Sequence, residues 1–139
     1  MILVIDASVA IKWFVREEGH EEARRLLEKP ETLHAPDLFA PELANVAWKK
    51  ATRGEIGRDQ AVAIVRIIRR GVPTLYSSAL FHERALELAF ALAHPVYDCI
   101  YLACAETLGG TLVSADIAFL ETAKKAGIAT QLQPLFGVS

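Results

Sequence analysis

Short apolar runs rich in β-branched residues recur along this chain, at Ile2 to Ile5, Leu33 to Ala35, Val72 to Tyr76, Thr111 to Ser114 and Ile128 to Leu132. Stretches with helical periodicity separate them. A strand with one wet face alternates apolar and polar residues, whereas a short continuous apolar run is a strand covered on both faces. Such strands, alternating with helices, leave one class open: α/β, a parallel sheet flanked by helices. At 139 residues, 53% of them hydrophobic, the chain has the size and the apolar content of one domain spanning 1–139.

Punctuation between the runs places the helices. Ser8 reads as the N-cap of a helix over Val9 to Val15. His20 to Lys29 is helical until Pro30 stops it, and Leu38 to Arg53 is a helix with Pro41 in its first turn and Gly54 at its end. Arg58 to Arg70 carries Val62, Ile64, Val65 and Ile68 on one side and arginines on the other, which predicts a single amphipathic helix closed by Gly71. The breaker His94-Pro95 divides Leu80 to Ala93 from Tyr97 to Leu108, Gly109-Gly110 turns the chain, and Asp116 opens a helix to Lys125.

Charge and cysteine usage narrow the setting. Net charge is -2, low for a nucleic-acid-binding domain, yet Lys49, Lys50, Arg53, Arg58, Arg66, Arg69 and Arg70 put seven of the fifteen basic residues into one short window. Cys99 and Cys104 lie five apart in a helical segment, a spacing that neither bridges nor suits zinc, so a reducing cytoplasm is expected. Asp6 and Lys12 interrupt the apolar opening, which therefore does not read as a secretory leader, and Glu87 and Asp98 break the most hydrophobic region before it reaches the length of a membrane span.

Four acids stand out by position. Asp6 and Asp116 each come just after an apolar strand, at the carboxyl edge of the expected sheet, where α/β sheets bind ligands. Glu42 and Asp98 fall in the first turns of their helices. Capping and the helix dipole account for any one of these alone. Taken together they mean more: Asp98 interrupts an otherwise apolar helix, where a carboxylate needs a partner, and Glu42, Asn45 and Lys49 form a polar stripe on one helical face. Carboxylates gathered in one place raise each other's pKa unless a cation lies between them. Oxygen-only ligands suit Mg²⁺ or Mn²⁺, which activates water and offsets charge on a phosphoryl group. Phosphodiester hydrolysis is the reaction class that follows.

Asp6-Ala7-Ser8, Pro41-Glu42-Leu43 with Asn45, Tyr97-Asp98 with Tyr101-Leu102-Ala103, and Leu112-Val113-Ser114-Ala115-Asp116 occur in order over nearly the whole chain. In that order and spacing they closely resemble the PIN domain, the VapC-like toxin branch in particular. The resemblance implies a five-stranded parallel sheet, a Mg²⁺- or Mn²⁺-dependent endoribonuclease acting on RNA, a homodimer, and inhibition by a small antitoxin. Carried over by position, Asp6, Glu42, Asp98 and Asp116 would hold metal and Ser114 would offer a hydroxyl; Ser8 and Asn45 are the further neighbours of the site. Ile117-Ala118-Phe119 follows Asp116 where the family commonly has a more polar turn, leaving a direct and a water-mediated role for Asp116 both open.

Other chemistries lack their signatures. The histidines at 20, 34, 82 and 94 show no metal spacing and read as surface or helix-end residues, and there is no phosphate-binding glycine motif. One acid after the first strand is too few for a receiver or an aspartate phosphohydrolase. Trp13, Phe14 and Trp48 read as core or dimer contacts rather than base-stacking platforms, with Tyr97 and Tyr101 in similar roles. The competing reading is a catalytically silent PIN-like binding or scaffold module.

Overall fold

The first apolar run becomes the central strand. In the computed structural model, which describes residues 1–136, β1 (Leu3–Ile5) is buried along its whole length. It pairs in parallel with β2 (Leu33–Pro36) on one side and β4 (Thr111–Ser114) on the other. β3 (Thr74–Tyr76) adds to β2 and β5 (Gln131–Pro134) to β4, giving an all-parallel sheet in the order β3-β2-β1-β4-β5. Between the strands run α1 (Ala7–Ala10), α2 (His20–Leu26), α3 (Phe39–Thr52), α4 (Arg58–Val65), α5 (His82–Leu92), α6 (Val96–Leu108) and α7 (Ile117–Lys125), the α/β arrangement expected.

The most hydrophobic segment is the one most deeply packed. α6 is buried continuously from Cys99 to Ala105 and lies against β1, β2 and β4, so it needs apolar residues on nearly every side. Both cysteines are free within it, and burial pushes the Cys99 thiol up to about 11 and Cys104 up to about 12. Among the described residues no single helix is long and apolar enough to cross a membrane.

α3 starts without a side-chain cap of its own. The segment after β3 supplies one: Ser78 Oγ accepts from the Leu38 N–H at 2.9 Å, and Asp37 Oδ1 accepts from the Ser78 N–H at 3.0 Å. This reciprocal pair fixes the entry of α3, and Glu42 with it, against the carboxyl end of the sheet.

Several element boundaries differ from the periodicity: β3 starts at Thr74 rather than Val72, α2 ends at Leu26 rather than Lys29, and a 3-10 turn over Ser78–Phe81 precedes α5. Three further differences have a cause visible in the backbone. The last strand begins at Gln131, not Ile128. Ile128 belongs to the end of α7: its N–H donates to Ala123 O, that of Gly127 donates to Lys124 O, and Gly127 has φ +76°, so the apolar residue covers the end of a Schellman motif. Arg58 to Arg70 is α4 followed by a tighter 3-10 turn, Arg66–Arg70, which Gly71 ends at φ +73°. The first helix begins at Ala7, so the N-cap is Asp6 rather than Ser8. Asp6 ends β1 with extended backbone angles (φ -108°, ψ 177°), the conformation a cap requires, and a carboxylate caps as well as a hydroxyl.

Candidate active site

β2 and β3 extend the sheet to one side of β1, and β4 and β5 to the other, so the chain order reverses between β1 and β4. A crevice opens there beyond the carboxyl ends of the strands. Asp6 directly follows β1, and Asp116 follows β4 two residues on. They line one cleft of about 470 Å³, together with Ser8, Glu42, Asn45, Lys49 and Tyr97.

Two hydroxyls hold Asp6. Ser8 Oγ donates to Oδ1 at 2.5 Å and Ser114 Oγ donates to Oδ2 at 2.6 Å, while the Val9 N–H reaches Oδ1 at 3.3 Å as the helix cap. The same hydroxyl oxygens accept backbone N–H groups from the segment after β4, Ser8 from Ala115 and Ser114 from Asp116. The ends of β1 and β4 are thereby tied through the side chains that orient the carboxylate. Ser114 is 1% exposed and fully engaged.

Glu42 reaches the cleft from the first turn of α3 and accepts a short hydrogen bond from the Tyr101 hydroxyl. Tyr101 is buried in α6, and burial with the neighbouring carboxylates raises its own pKa far above the usual phenol range. Asp98, on the outer side of α6 and 41% exposed, is paired with His94, whose Nε2 lies 2.7 Å from Oδ2. The His94 ring also packs on Phe119 of α7 at 4.6 Å between centroids. Phe119 in turn donates its N–H to Asp116 Oδ1 at 3.1 Å, so Asp116 serves as the cap of α7.

The acids act on one another. Burial raises the pKa of Asp6 against the pull of Ser114, Ser8 and Val9, and the Asp98 charge raises it further. Burial likewise raises Glu42 against the pull of Tyr101, and the charges of Asp6 and Asp98 add to it. In this conformation each carboxylate is engaged by a protein donor, and no three carboxylate, imidazole or thiol side chains among the described residues converge on a common point for an ion. The donors lining the cleft are hard oxygens, which suit a divalent cation such as Mg²⁺ or Mn²⁺ and do not fit a soft metal.

Asn45 is exposed, lines the cleft and makes no hydrogen bond to Glu42. Of the aromatic residues, Trp13 is buried and donates Nε1–H to Ala23 O at 2.9 Å, as a core residue should. Trp48 is 60% exposed, and Tyr97 and Tyr101 have opposite fates: Tyr97 faces the cleft at 64% exposure while Tyr101 lies inside. His94 and Tyr101 are the two partners of the acids that periodicity did not single out. The signals were the spacing of His94 four residues before Asp98 across a helix start, and a tyrosine three residues after Asp98 on the apolar side of the same helix.

Comparison with known proteins places these features in a family. A PIN domain model matches residues 3–125. Ribonuclease VapC3 of Pyrobaculum aerophilum is 37% identical over 118 residues, covering 84% of this chain and 90% of that protein. Ribonuclease VapC9 of Mycobacterium tuberculosis is 31% identical over 121 residues, with 87% and 91% covered. Among solved structures, PAE2754 from Pyrobaculum aerophilum superposes with a TM-score of 0.70 at 20% identity over 88% of this chain and 86% of that one. Mycobacterium tuberculosis VapC20, described as a sarcin-ricin loop cleaving toxin, superposes with a TM-score of 0.65 at 19% identity, covering 81% of this chain and 87% of its own. At those identities the superpositions establish the shared fold.

Proposed function

The chain belongs to the PIN domain family, and from that premise we propose that it is a divalent-metal-dependent endoribonuclease, a hydrolase of RNA phosphodiesters, acting as the toxin of a toxin–antitoxin pair. The observation that carries this reading is the meeting of Asp6, Glu42 and Asp116 on one cleft at the switch point of the sheet. Carboxylates gathered in one cleft repel one another, a cost to the fold that a bound cation removes.

Asp6, Glu42, Asp98 and Asp116 would hold Mg²⁺ or Mn²⁺. A bound ion of this type supplies a nucleophile from water near neutral pH and offsets charge on the phosphoryl group. The protein's own part is preorganisation. Ser8 and Ser114 orient both oxygens of Asp6, Tyr101 holds one oxygen of Glu42, and His94 holds one oxygen of Asp98, so each carboxylate keeps one geometry before substrate arrives. Asn45 belongs to the wall of the cleft. RNA as substrate is supported by the relatives, ribonucleases by name. A homodimer, a cognate antitoxin, a cytoplasmic setting and a single domain over 1–139 belong to the same reading.

The test is cleavage of labelled single-stranded and stem-loop RNA by the purified chain with Mg²⁺, with Mn²⁺ and with chelator, beside Asp6→Asn and Asp98→Asn. Cleavage that needs the ion and disappears in both variants is the expected result. A wild type that cuts nothing, yet binds metal and a partner, would replace this reading with the binding module.

A further inference from the structure

An acid-lined cleft is a poor seat for a polyanion. Even with an ion in place, the phosphates on either side of the cut meet Asp6, Glu42 and Asp116, and a nucleic-acid strand is held chiefly through cations on its phosphates. The basic window over residues 49–70 is the natural source, but the fold distributes its charges unequally. Lys50 is engaged inside the protein, its Nζ 2.9 Å from Glu17 Oε2 and 3.4 Å from Glu55 Oε2. Arg58 lines a separate, largely apolar groove between α3 and α4, beside Trp48 and Val62. Lys49 is the member of the window that lines the acid cleft. It is exposed, and among the described residues it has no ion-pair or side-chain hydrogen-bond partner.

Its position on the helix sets its reach. Glu42, Asn45 and Lys49 share one face of α3, and at 1.5 Å per residue Asn45 stands ~4.5 Å and Lys49 ~10 Å beyond Glu42 along the axis. The Asn45 amide lines the same wall and also has no partner among the described residues. A donor and a cation one turn apart, both free, thus lead away from the carboxylates along the cleft.

We propose that Lys49, with the Asn45 amide beside it, forms a subsite for a phosphate of the RNA strand flanking the one that is cut. The proposal rests on the ribonuclease reading above and assigns the strand its path, from the carboxylates along the exposed face of α3. Because the flanking phosphate does not change charge during hydrolysis, the contact strengthens the bound state and the transition state equally. Removing it raises KM and leaves kcat nearly unaltered.

Two measurements on the full chain decide it. Binding of a labelled single-stranded RNA is followed by anisotropy in chelator over a range of salt, and cleavage of the same RNA is followed with Mn²⁺. Lys49→Ala should weaken binding about five- to tenfold near 0.1 M salt and lower the slope of log affinity against log salt by about 0.7, the loss of one phosphate contact on a single strand. KM should rise in proportion, with kcat within about twofold of wild type. Lys49→Arg should recover most of the affinity because the charge is kept, and Asn45→Ala should weaken binding about two- to threefold. Unchanged affinity, salt slope and KM in Lys49→Ala would overturn the subsite while cleavage by the wild type leaves the ribonuclease reading standing. A fall in kcat at saturating RNA with unaltered KM would overturn it differently, by placing the charge on the reacting phosphate. RNA binding through Lys49 without any cleavage would keep the subsite and overturn the ribonuclease reading, and a wild type that neither binds nor cleaves RNA overturns both.

Discussion

Replacing Tyr101 by phenylalanine removes a single oxygen from a side chain that is 2% exposed and leaves its ring in place. The missing atom is the donor to Glu42 Oε1. A hydrogen bond to an ionised group contributes roughly 1.5–3 kcal/mol and one between neutral groups roughly 0.5–1.5 kcal/mol, so the cost depends on whether Glu42 carries its charge. Burial, joined by the Asp6 and Asp98 charges, holds the pKa of Glu42 above its ordinary 4.5, with Tyr101 pulling the other way. A carboxyl whose folded pKa is raised contributes stability below its unfolded pKa and loses it as pH climbs through the folded value. Without Tyr101 that folded value rises further, and the loss on climbing is larger. Metal-free Tyr101→Phe should therefore be destabilised by about 2 kcal/mol at pH 8 and by about 1 kcal/mol near pH 4, where Glu42 is protonated. Urea midpoints in chelator at the two pH values measure this directly, and thermal melts should fall by about 3–5 °C per kcal/mol at this chain length. A double-mutant cycle with Glu42→Gln, which keeps a neutral acceptor, isolates the part of the bond that depends on charge, with a coupling of about 1 kcal/mol expected at pH 8. Equal costs at both pH values, or a coupling below about 0.5 kcal/mol, would refute the reasoning.

Asp6→Asn should abolish RNA cleavage and at the same time raise the thermal midpoint of the metal-free protein, because burial already disfavours the charged form of that side chain; melts with and without Mn²⁺ should also show the variant losing the ion's stabilisation, about 2.7 kcal/mol for wild type at a hundred times Kd. Glu17→Gln should cost about 2 kcal/mol at pH 7 by unpairing Lys12 and leaving Lys50 with the longer contact to Glu55. Burial alone would raise the pKa of Glu17, but Lys50 and Lys12 outweigh it and lower it, so this contribution is present above pH 4.5 and the difference from wild type should vanish as pH falls through the lowered value in a urea series. At Gly110 an added Cβ would lie 2.8 Å from the Ile2 carbonyl oxygen and 2.7 Å from Ile2 Cγ2; Gly110→Ala should shift the entry to β1 and cost about 1–3 kcal/mol in denaturant melts, with cleavage reduced through displacement of Asp6.

Short apolar runs, helix breakers and acids placed just after strands were enough to determine the α/β class, the parallel sheet and the edge at which Asp6 and Asp116 stand. These are local properties, because a run buried on both faces must be apolar throughout and an acid after a strand sits where the backbone leaves it. Boundaries set by backbone hydrogen bonds at helix ends were not legible in the same way. Ile128 reads as strand by composition and serves as the apolar end of a Schellman motif, and Ser8 reads as a cap until Asp6, one residue before the helix starts, takes that place. Still less could the sequence say which polar groups meet. Tyr101 and Glu42 are 59 residues apart, Ser114 and Asp6 108 apart, and their pairing follows only once α6 packs across the sheet and β4 joins β1. His94 looked like a surface residue because nothing local reveals that its ring lies between Asp98 and Phe119. Lys49 and Lys50 are adjacent and chemically identical, yet the fold sends Lys50 into an ion-pair network and Lys49 to the cleft wall: residues next to each other on a helix point about 100° apart, and only the packing of α3 decides which direction faces the carboxylates.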